Sequence, residues 1–101
     1  MEDMYANLRS LARHIGSLVE EHKGQDVRLL DLSALSSWTD FFVIATVTSS
    51  THRSAIQKYI CEYAREKGLE IRNSGKKTPS DDEWTLVDLG PIVVHLMSAE
   101  A

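Results

Sequence analysis

The chain has 101 residues, a formal net charge of -4 and a sequence pI near 5.5. This length suits one domain with a modest core and is too short for two, so we predict a single domain over residues 1–101. The 43% hydrophobic and 26% charged composition is that of a folded globular domain. The acidic balance argues against a broad basic surface for phosphate backbone, so a protein partner is favoured and no direct nucleic-acid specificity is expected.

The cysteine count and the N-terminus bear on the compartment. Cys61 is the single cysteine and cannot form an intrachain disulfide. No apolar run reaches the roughly 18 residues that suggest a membrane-spanning helix. Residues 1–4 open acidic, unlike a signal or transit peptide. We therefore predict a cytoplasmic protein without a membrane partner.

The first predicted element is an amphipathic helix over roughly residues 4–22, with charged residues on the face opposite an apolar stripe. The stripe consists of Met4, Leu8, Leu11, Ala12, Ile15, Leu18 and Val19. Gly24 follows and is a candidate for a left-handed C-terminal cap.

A short strand is predicted next, at residues 27–32. Its inward-facing residues would be Val27, Leu29 and either Leu30 or Leu32. Residues 33–40 form a polar connector whose side chains can bond back to nearby backbone. Trp38 is the large aromatic in it, and it is either a lid on the core or an exposed contact.

Phe41–Val47 is an almost unbroken apolar and β-branched run, which predicts a strand buried on both faces inside a sheet. The hydroxyl-rich residues 48–51 are typical of a helix N-cap, and they open the second predicted helix. The helical spacing behind them is carried by Ala55, Ile56, Tyr59, Ile60, Tyr63 and Ala64.

Gly68 ends this periodicity, and residues 69–73 alternate as a third strand. Residues 74–83 are polar and indicate a mobile loop. Two further strands, at 84–90 and 91–97, meet tightly at Gly90 and Pro91 as in an antiparallel hairpin. The predicted fold is α+β, a two-layer α/β domain with two main helices and a mixed five-stranded sheet in the order α-β-β-α-β-β-β.

The chemistry-bearing residues favour no enzyme. Asp31, Asp40, Glu70 and Asp88 could form a metal or acid/base site only if they converged in a cleft, which their spacing does not require. Asp40 and Asp88 are better explained as turn and edge anchors that accept backbone hydrogen bonds. The four histidines show no ligand spacing, and no phosphate-binding glycine motif occurs. We predict no catalytic residues, no metal and no cofactor.

Three blocks of sequence resemble the ribosomal silencing factor family, also called the Iojap family. The first block comprises residues 31–33 (DLS) and 36–46 (SSWTDFFVIAT). The second comprises Thr48, Ser49, His52, Ala55 and Ile56. The third comprises Trp84, Leu86, Asp88 and Gly90, followed by residues 93–95 (VVH). The blocks are specific in combination, whereas each alone would be weak.

The resemblance implies a non-enzymatic factor that binds the large ribosomal subunit through a ribosomal protein on its intersubunit face. Bound there, such a factor blocks subunit joining and represses translation. It also implies a scaffold like that of the nucleotidyltransferase superfamily, and it allows a homodimer. The alternative is a nucleotidyltransferase-like enzyme or nucleotide-binding protein that uses Asp40 and Asp88. The chain lacks the Gly-Ser plus Asp-x-Asp signature of such enzymes, and fold alone does not imply activity.

Aromatic anchors beside acidic acceptors are the usual composition of an interface with a basic partner. The predicted partner-binding residues are Ser36, Trp38, Asp40, Trp84, Leu86, Asp88 and His95. Trp84 is the favoured anchor, although a core position is the alternative. His95 is either a structural histidine or part of the interface.

The sequence departs from the family pattern at two positions and at its end. Val47 stands where the family usually has Gly, and Pro91 where it usually has Asp; both are expected to lie near the binding face. The chain ends at Ala101, before the family's customary aromatic and acidic C-terminal segment. Contacts of that segment are therefore not carried over.

Overall fold

A computed structural model describes residues 4–35, 39–76 and 84–98, with the side chains of 4, 5 and 73–76 left out of the description. The helices are α1 (Met4–Glu21) and α2 (Ser50–Glu66). The strands are β1 (Gln25–Asp31), β2 (Phe41–Val47), β3 (Asn73–Lys76), β4 (Trp84–Asp88) and β5 (Ile92–Ser98). The predicted α+β class and the order α-β-β-α-β-β-β are confirmed. The likeness to nucleotidyltransferases stays a prediction.

The five strands form one mixed sheet in the order β1-β2-β5-β4-β3. β2 and β5 run parallel, and the other neighbouring pairs are antiparallel. A parallel pair needs a crossover connection, and α2 is part of the long one that leads from β2 to β5. β4 and β5 form the antiparallel hairpin predicted around Gly90 and Pro91.

Both helices pack on one face of this sheet, and the hydrophobic core lies between the two layers. From the helices, the core receives Ala12, Ile15, Val19, Ile56, Ile60 and Ala64. From the strands, it receives Phe41, Val43, Ala45, Val47, Val87, Ile92, Val94 and Leu96. All of these side chains are at most 1% exposed. This face is called the helix-covered face below.

The ends of α2 follow from its sequence. Ser49 is the N-cap, and its hydroxyl oxygen accepts a hydrogen bond from the backbone N–H of His52 at 3.0 Å. At the other end Gly68 adopts a φ of +76°, a left-handed conformation that glycine tolerates best, and the helix stops there as predicted. The N–H of Leu69 then bonds to the carbonyl of Ala64 at 2.8 Å.

The predicted left-handed cap at Gly24 is wrong, because Lys23 takes that conformation, with a φ of +73°. Gly24 is needed instead for close packing. A Cβ at this position would collide with the Val19 side chain and lie 2.9 Å from the Val19 carbonyl oxygen. The chain therefore turns tightly from α1 into β1 at a site that only glycine fits.

The third strand is displaced along the sequence from its predicted position. Residues 69–72 are not in a strand, and β3 comprises Asn73–Lys76, part of which was expected to be a loop. Leu69 and Ile71 pack against the core, so their alternation reflects burial rather than strand pairing. Residues 77–83 of the predicted loop lie outside the described residues.

β2 is not buried on both faces as predicted. Its odd-numbered side chains are buried under the helices, but Phe42, Ile44 and Thr46 are only half-buried on the opposite face. Val47, expected near the binding face, belongs to the helix-covered face instead.

The orientation of β1 is partly as expected. Its half-buried residues Val27 and Leu29 pack against the core as predicted, while Leu30 points to the other side of the sheet and is 40% exposed. Leu30 is therefore not an inward-facing residue, and Leu32 follows β1 rather than belonging to it.

Candidate functional site

The second face of the sheet carries no helix in the described part of the chain, and it is called the open face here. Residues paired across neighbouring strands share one face, so the register identifies its members. They are Arg28 and Leu30 of β1, Phe42, Ile44 and Thr46 of β2, Val93, His95 and Met97 of β5, and Trp84, Leu86 and Asp88 of β4. The open face mixes aromatic, aliphatic and charged side chains.

Three rings meet at the centre of the open face. The indole N–H of Trp84 donates a hydrogen bond to Nδ1 of His95 at 3.0 Å. The ring of Phe42 meets the His95 ring edge-on, with centroids 4.5 Å apart. Trp84 and Phe42 are half-buried, so each presents part of its ring to a potential partner while the other part is fixed by packing.

The acidic residues lie at one end of the same face. Asp88 ends β4, and its Oδ1 accepts the backbone N–H of Gly90 at 2.8 Å, which confirms its predicted role as a turn anchor. Asp40 immediately precedes β2, and its N–H bonds to the Pro91 carbonyl at 2.9 Å. The Gly90–Pro91 turn thus ties the two acidic positions to the same end of the sheet. Both side chains are half-buried.

The opposite flank of the open face, on edge strand β1, is basic and aliphatic. Arg28 pairs with Ile44, and Leu30 pairs with Phe42. Charges of opposite sign therefore flank an aromatic centre. This layout resembles the apolar core and polar rim of a protein–protein interface.

The structure brings four of the predicted binding residues onto one surface, namely Trp84, Leu86, Asp88 and His95. Asp40 adjoins the same surface. Ser36 and Trp38 lie outside the described residues. The prediction missed Phe42 and Ile44, because β2 was interpreted as buried on both sides. A period of two along β2 would have assigned both side chains to the face opposite Phe41 and Val43.

The described residues also form a groove, but they provide no metal centre. A groove of about 440 Å³ lies between α1 and β1, lined by Arg9, Arg13, Glu20 and neighbouring small or aliphatic residues. It belongs to the helix side of the domain. Within residues 4–35, 39–76 and 84–98, no group of three His, Cys, Asp or Glu side chains is placed to hold a metal ion.

No helix in the described ranges combines the length and the hydropathy needed to cross a membrane.

Comparison with known proteins places this chain and its fold in a family. A family model described as "Ribosomal silencing factor during starvation" matches residues 5–101. The ribosomal silencing factor of Treponema pallidum is 38% identical over 79 residues, which cover 78% of this chain and 69% of that protein. A mouse protein named mitochondrial assembly of ribosomal large subunit protein 1 is more distant, at 28% identity over 83% of this chain and 37% of its own length.

A solved structure agrees with the sequence matches. The crystal structure of a protein from Chromobacterium violaceum superposes with a TM-score of 0.78 at 30% identity, covering 89% of this chain and 73% of the other. The resemblance carried by the three sequence blocks is thereby confirmed, and the chain belongs to the ribosomal silencing factor family.

Proposed function

We propose that this protein is a ribosomal silencing factor that binds the large ribosomal subunit through a ribosomal protein on the intersubunit face. Bound there, it blocks joining of the small subunit by occupying space and so represses translation. Family membership supports the ribosomal role. The name of the mouse relative, which refers to assembly of the ribosomal large subunit, agrees with that subunit as the target.

The observation that carries the proposal is the composition of the open face. An aromatic centre of Trp84, Phe42 and His95 lies between aliphatic neighbours, with Asp88 on the rim. Binding energy at interfaces is concentrated in such half-buried aromatic residues, and tryptophan is the most enriched of them. The net charge of -4 favours encounter with a basic surface, which is typical of ribosomal proteins.

Sedimentation of ribosomal subunits tests this function. Added at a 1:1 ratio, the protein should co-migrate with large subunits and shift joined ribosomes toward free subunits. Failure to co-migrate, together with unchanged subunit joining, would contradict the proposal.

A tryptophan variant tests the surface itself. Trp84→Ala should weaken binding to large subunits by about 2 kcal/mol or more, since it removes the central ring, while most of the folding stability remains. Tyr59→Ala is the matched control, because Tyr59 is also an aromatic residue, 41% exposed, but belongs to α2 on the helix side. A large fall in melting temperature for Trp84→Ala, with intact binding by the folded fraction, would assign Trp84 to the core instead.

The enzyme alternative predicts binding of a nucleotide and a divalent metal by Asp40 and Asp88. The Asp88 carboxylate already accepts a backbone hydrogen bond from Gly90, which supports a structural role. Calorimetry with nucleoside triphosphates and magnesium distinguishes the two functions. Heat of binding that Asp88→Asn abolishes would favour the enzyme.

We also propose that the protein forms a homodimer through β1, which is an edge strand in the described part of the sheet. The N–H of Leu32 bonds to the carbonyl of Asp40, so the even-numbered residues of this segment direct their backbone N–H and C=O groups toward β2. The backbone N–H and C=O of Leu29 therefore point away from β2. Unpaired strand edges promote association. Leu30 and Leu35, 40% and 84% exposed, flank this edge. Light scattering that gives a monomer at all concentrations would contradict the dimer.

A further inference from the structure

We propose that His95 is a positioning residue that holds Trp84 for docking only while its imidazole is neutral, so that docking requires a deprotonated His95. The part of this inference that concerns docking rests on the proposed function. The part that concerns the coupling between His95 and Trp84 is a property of the isolated chain and is tested without a ribosome.

The hydrogen bond between the two rings fixes the protonation state of His95. An indole N–H can only donate, so Nδ1 of His95 must accept at the observed distance of 3.0 Å. An imidazole with an accepting Nδ1 is neutral and carries its proton on Nε2. Protonation would add an N–H at Nδ1, the second N–H of the ring, and this group would face the indole N–H of Trp84. Two donors repel each other, so the hydrogen bond would be lost.

The surroundings of His95 make its charged form costly. His95 is 8% exposed, and the ring of Phe42 contacts it edge-on at 4.5 Å. Its cross-strand neighbours are Ile44 in β2 and Leu86 in β4. An imidazolium in such apolar surroundings loses much of its hydration. The neutral form is therefore favoured by two independent features of the site.

The charged residues described on the open face, Asp88 and Arg28, do not offset the cost of charging His95. Asp88, on β4, already accepts the Gly90 N–H at Oδ1, and it pairs in register with Val93 rather than with His95. Arg28, on β1, lies beyond Ile44 and would repel an imidazolium. Among the described side chains facing His95 from β2 and β4, the direct register partners are uncharged. Protonation thus disfavours the arrangement that fixes Trp84.

The consequence for binding follows from the position of Trp84. A ring held in one orientation loses less conformational freedom on docking than a mobile ring, so the bound geometry is prepared in advance. A protonated His95 would release the indole and place a charge beneath the docking surface. An unperturbed histidine changes charge near pH 6.5. Docking should therefore weaken as the pH falls through the histidine range.

Nuclear magnetic resonance of the isolated protein tests the coupling. The indole N–H signal of Trp84, assigned by its absence from Trp84→Phe, should shift with pH in step with the ring signals of His95. In His95→Asn the carboxamide oxygen lies near the place of Nδ1, accepts the same hydrogen bond and does not titrate. The indole signal of that variant should be independent of pH. An indole signal in the original protein that ignores the titration of His95 would overturn the proposal.

Binding to purified large subunits at pH 7.5 and 5.5 tests the docking half. If only the neutral form docks, the original protein loses affinity at the lower pH, by at most about tenfold, which is the loss expected one unit below an ordinary histidine midpoint. His95→Asn should keep most of its affinity at both values. His95→Phe, which fills the space but accepts no hydrogen bond, should bind weakly at both. Melting temperatures at each pH verify that every variant is folded.

The resonance and binding experiments together distinguish failure of the proposed function from failure of the positioning role of His95. If no variant binds the subunit at either pH, the proposed function fails, and the resonance experiment still decides the coupling. If the original protein and His95→Asn lose affinity equally at pH 5.5, the change belongs to the ribosome and the positioning role of His95 is wrong. If the indole follows His95 but affinity stays constant, His95 does not control docking.

Discussion

The two faces of the sheet are built from the same strands but differ in composition. Phe41 and Phe42 are adjacent in β2, yet Phe41 is 0% exposed beneath the helices while Phe42 is half-buried on the open face. The strand residues of the helix-covered core are aliphatic apart from Phe41. The open face instead combines aromatic, aliphatic and charged residues from four strands.

The two faces therefore separate residues that serve folding from residues that are available for binding. A core between two layers needs only apolar side chains of the right volume. A docking face must stay soluble when unoccupied and must recognise one partner, which calls for polar groups around the apolar centre. The hydrogen bond between Trp84 and His95 pairs the indole N–H with Nδ1 of the imidazole within such a centre.

The largest expected effect comes from substituting the two adjacent phenylalanines of β2. Phe41→Ala should lower the free energy of unfolding by about 3–5 kcal/mol, because it leaves a cavity in the helix-covered core. Phe42→Ala removes the same atoms from a half-buried position and should cost roughly half as much. Urea denaturation measures both values.

The binding measurement should give the reverse ranking. The folded fraction of Phe41→Ala should bind large subunits as the original protein does, whereas Phe42→Ala should weaken binding by at least about 1 kcal/mol through loss of the aromatic centre. Equal losses of stability for both variants, with unchanged binding for Phe42→Ala, would mean that the two faces do not differ in role.

The sequence predicted the elements better than it predicted the faces. Helical spacing located both helices, and the Gly90–Pro91 turn located the hairpin, because these signals are local. The displacement of β3 arose because Leu69 and Ile71 alternate for burial against the core, which local periodicity does not distinguish from strand pairing. The openness of one face of β2 depends on which layer covers it, and that is a tertiary property.

The site was predictable in part for the same reason. Trp84, Leu86 and Asp88 alternate along one strand, so their common face follows from the period of two. Their neighbours Phe42 and Ile44 come from a strand far away in sequence and parallel to β5, a pairing that the sequence does not specify. The Trp84–His95 hydrogen bond likewise depends on the register of β4 against β5, which places Leu86 opposite His95.

A second test concerns the helical layer and has an intermediate expected effect. His52, in the first turn of α2, accepts the backbone N–H of Thr48 at Nδ1, 3.0 Å away, so its Nε2 donates to the carbonyl of His22 at 2.7 Å. One side chain thus connects the start of α2 to the end of α1. His52→Ala should lower the free energy of unfolding by about 1–2 kcal/mol through loss of these bonds.

The control for this variant is His22→Ala. The carbonyl of His22 that accepts from His52 belongs to the backbone and remains in this variant. The substitution removes the stacking of the His22 ring on the Tyr59 ring, whose centroid lies 3.9 Å from that of His22. It should cost less than His52→Ala in thermal denaturation. Both variants should bind large subunits normally, since neither residue belongs to the open face. Weaker binding by His52→Ala would show that the helical layer controls the docking surface.

The smallest expected effect is a gain of stability at Tyr63 on the helix side. The Tyr63 hydroxyl is buried and has no hydrogen-bond partner among the described residues. Burial, and secondarily the charge of Glu66, raises the pKa of Tyr63 above its ordinary value. Tyr63→Phe removes the unsatisfied hydroxyl and keeps the ring that Lys67 approaches at 5.7 Å. At neutral pH it should change stability by between zero and about +1 kcal/mol.

The stability that Tyr63 contributes depends on pH. Because folding raises the pKa of Tyr63, the unfolded chain releases this proton first as the pH rises above the ordinary tyrosine value of 10.0. The stability linked to the neutral phenol is therefore fully present below that pH and is lost as the pH rises through the folded pKa. Tyr63→Phe should lose less stability between pH 9 and 11 than the original protein does, as measured by urea denaturation at each pH. Tyr59→Phe is the control, because the Tyr59 ring is 41% exposed. A variant Tyr63→Phe that loses stability as steeply as the original protein would mean that the alkaline sensitivity arises elsewhere in the chain.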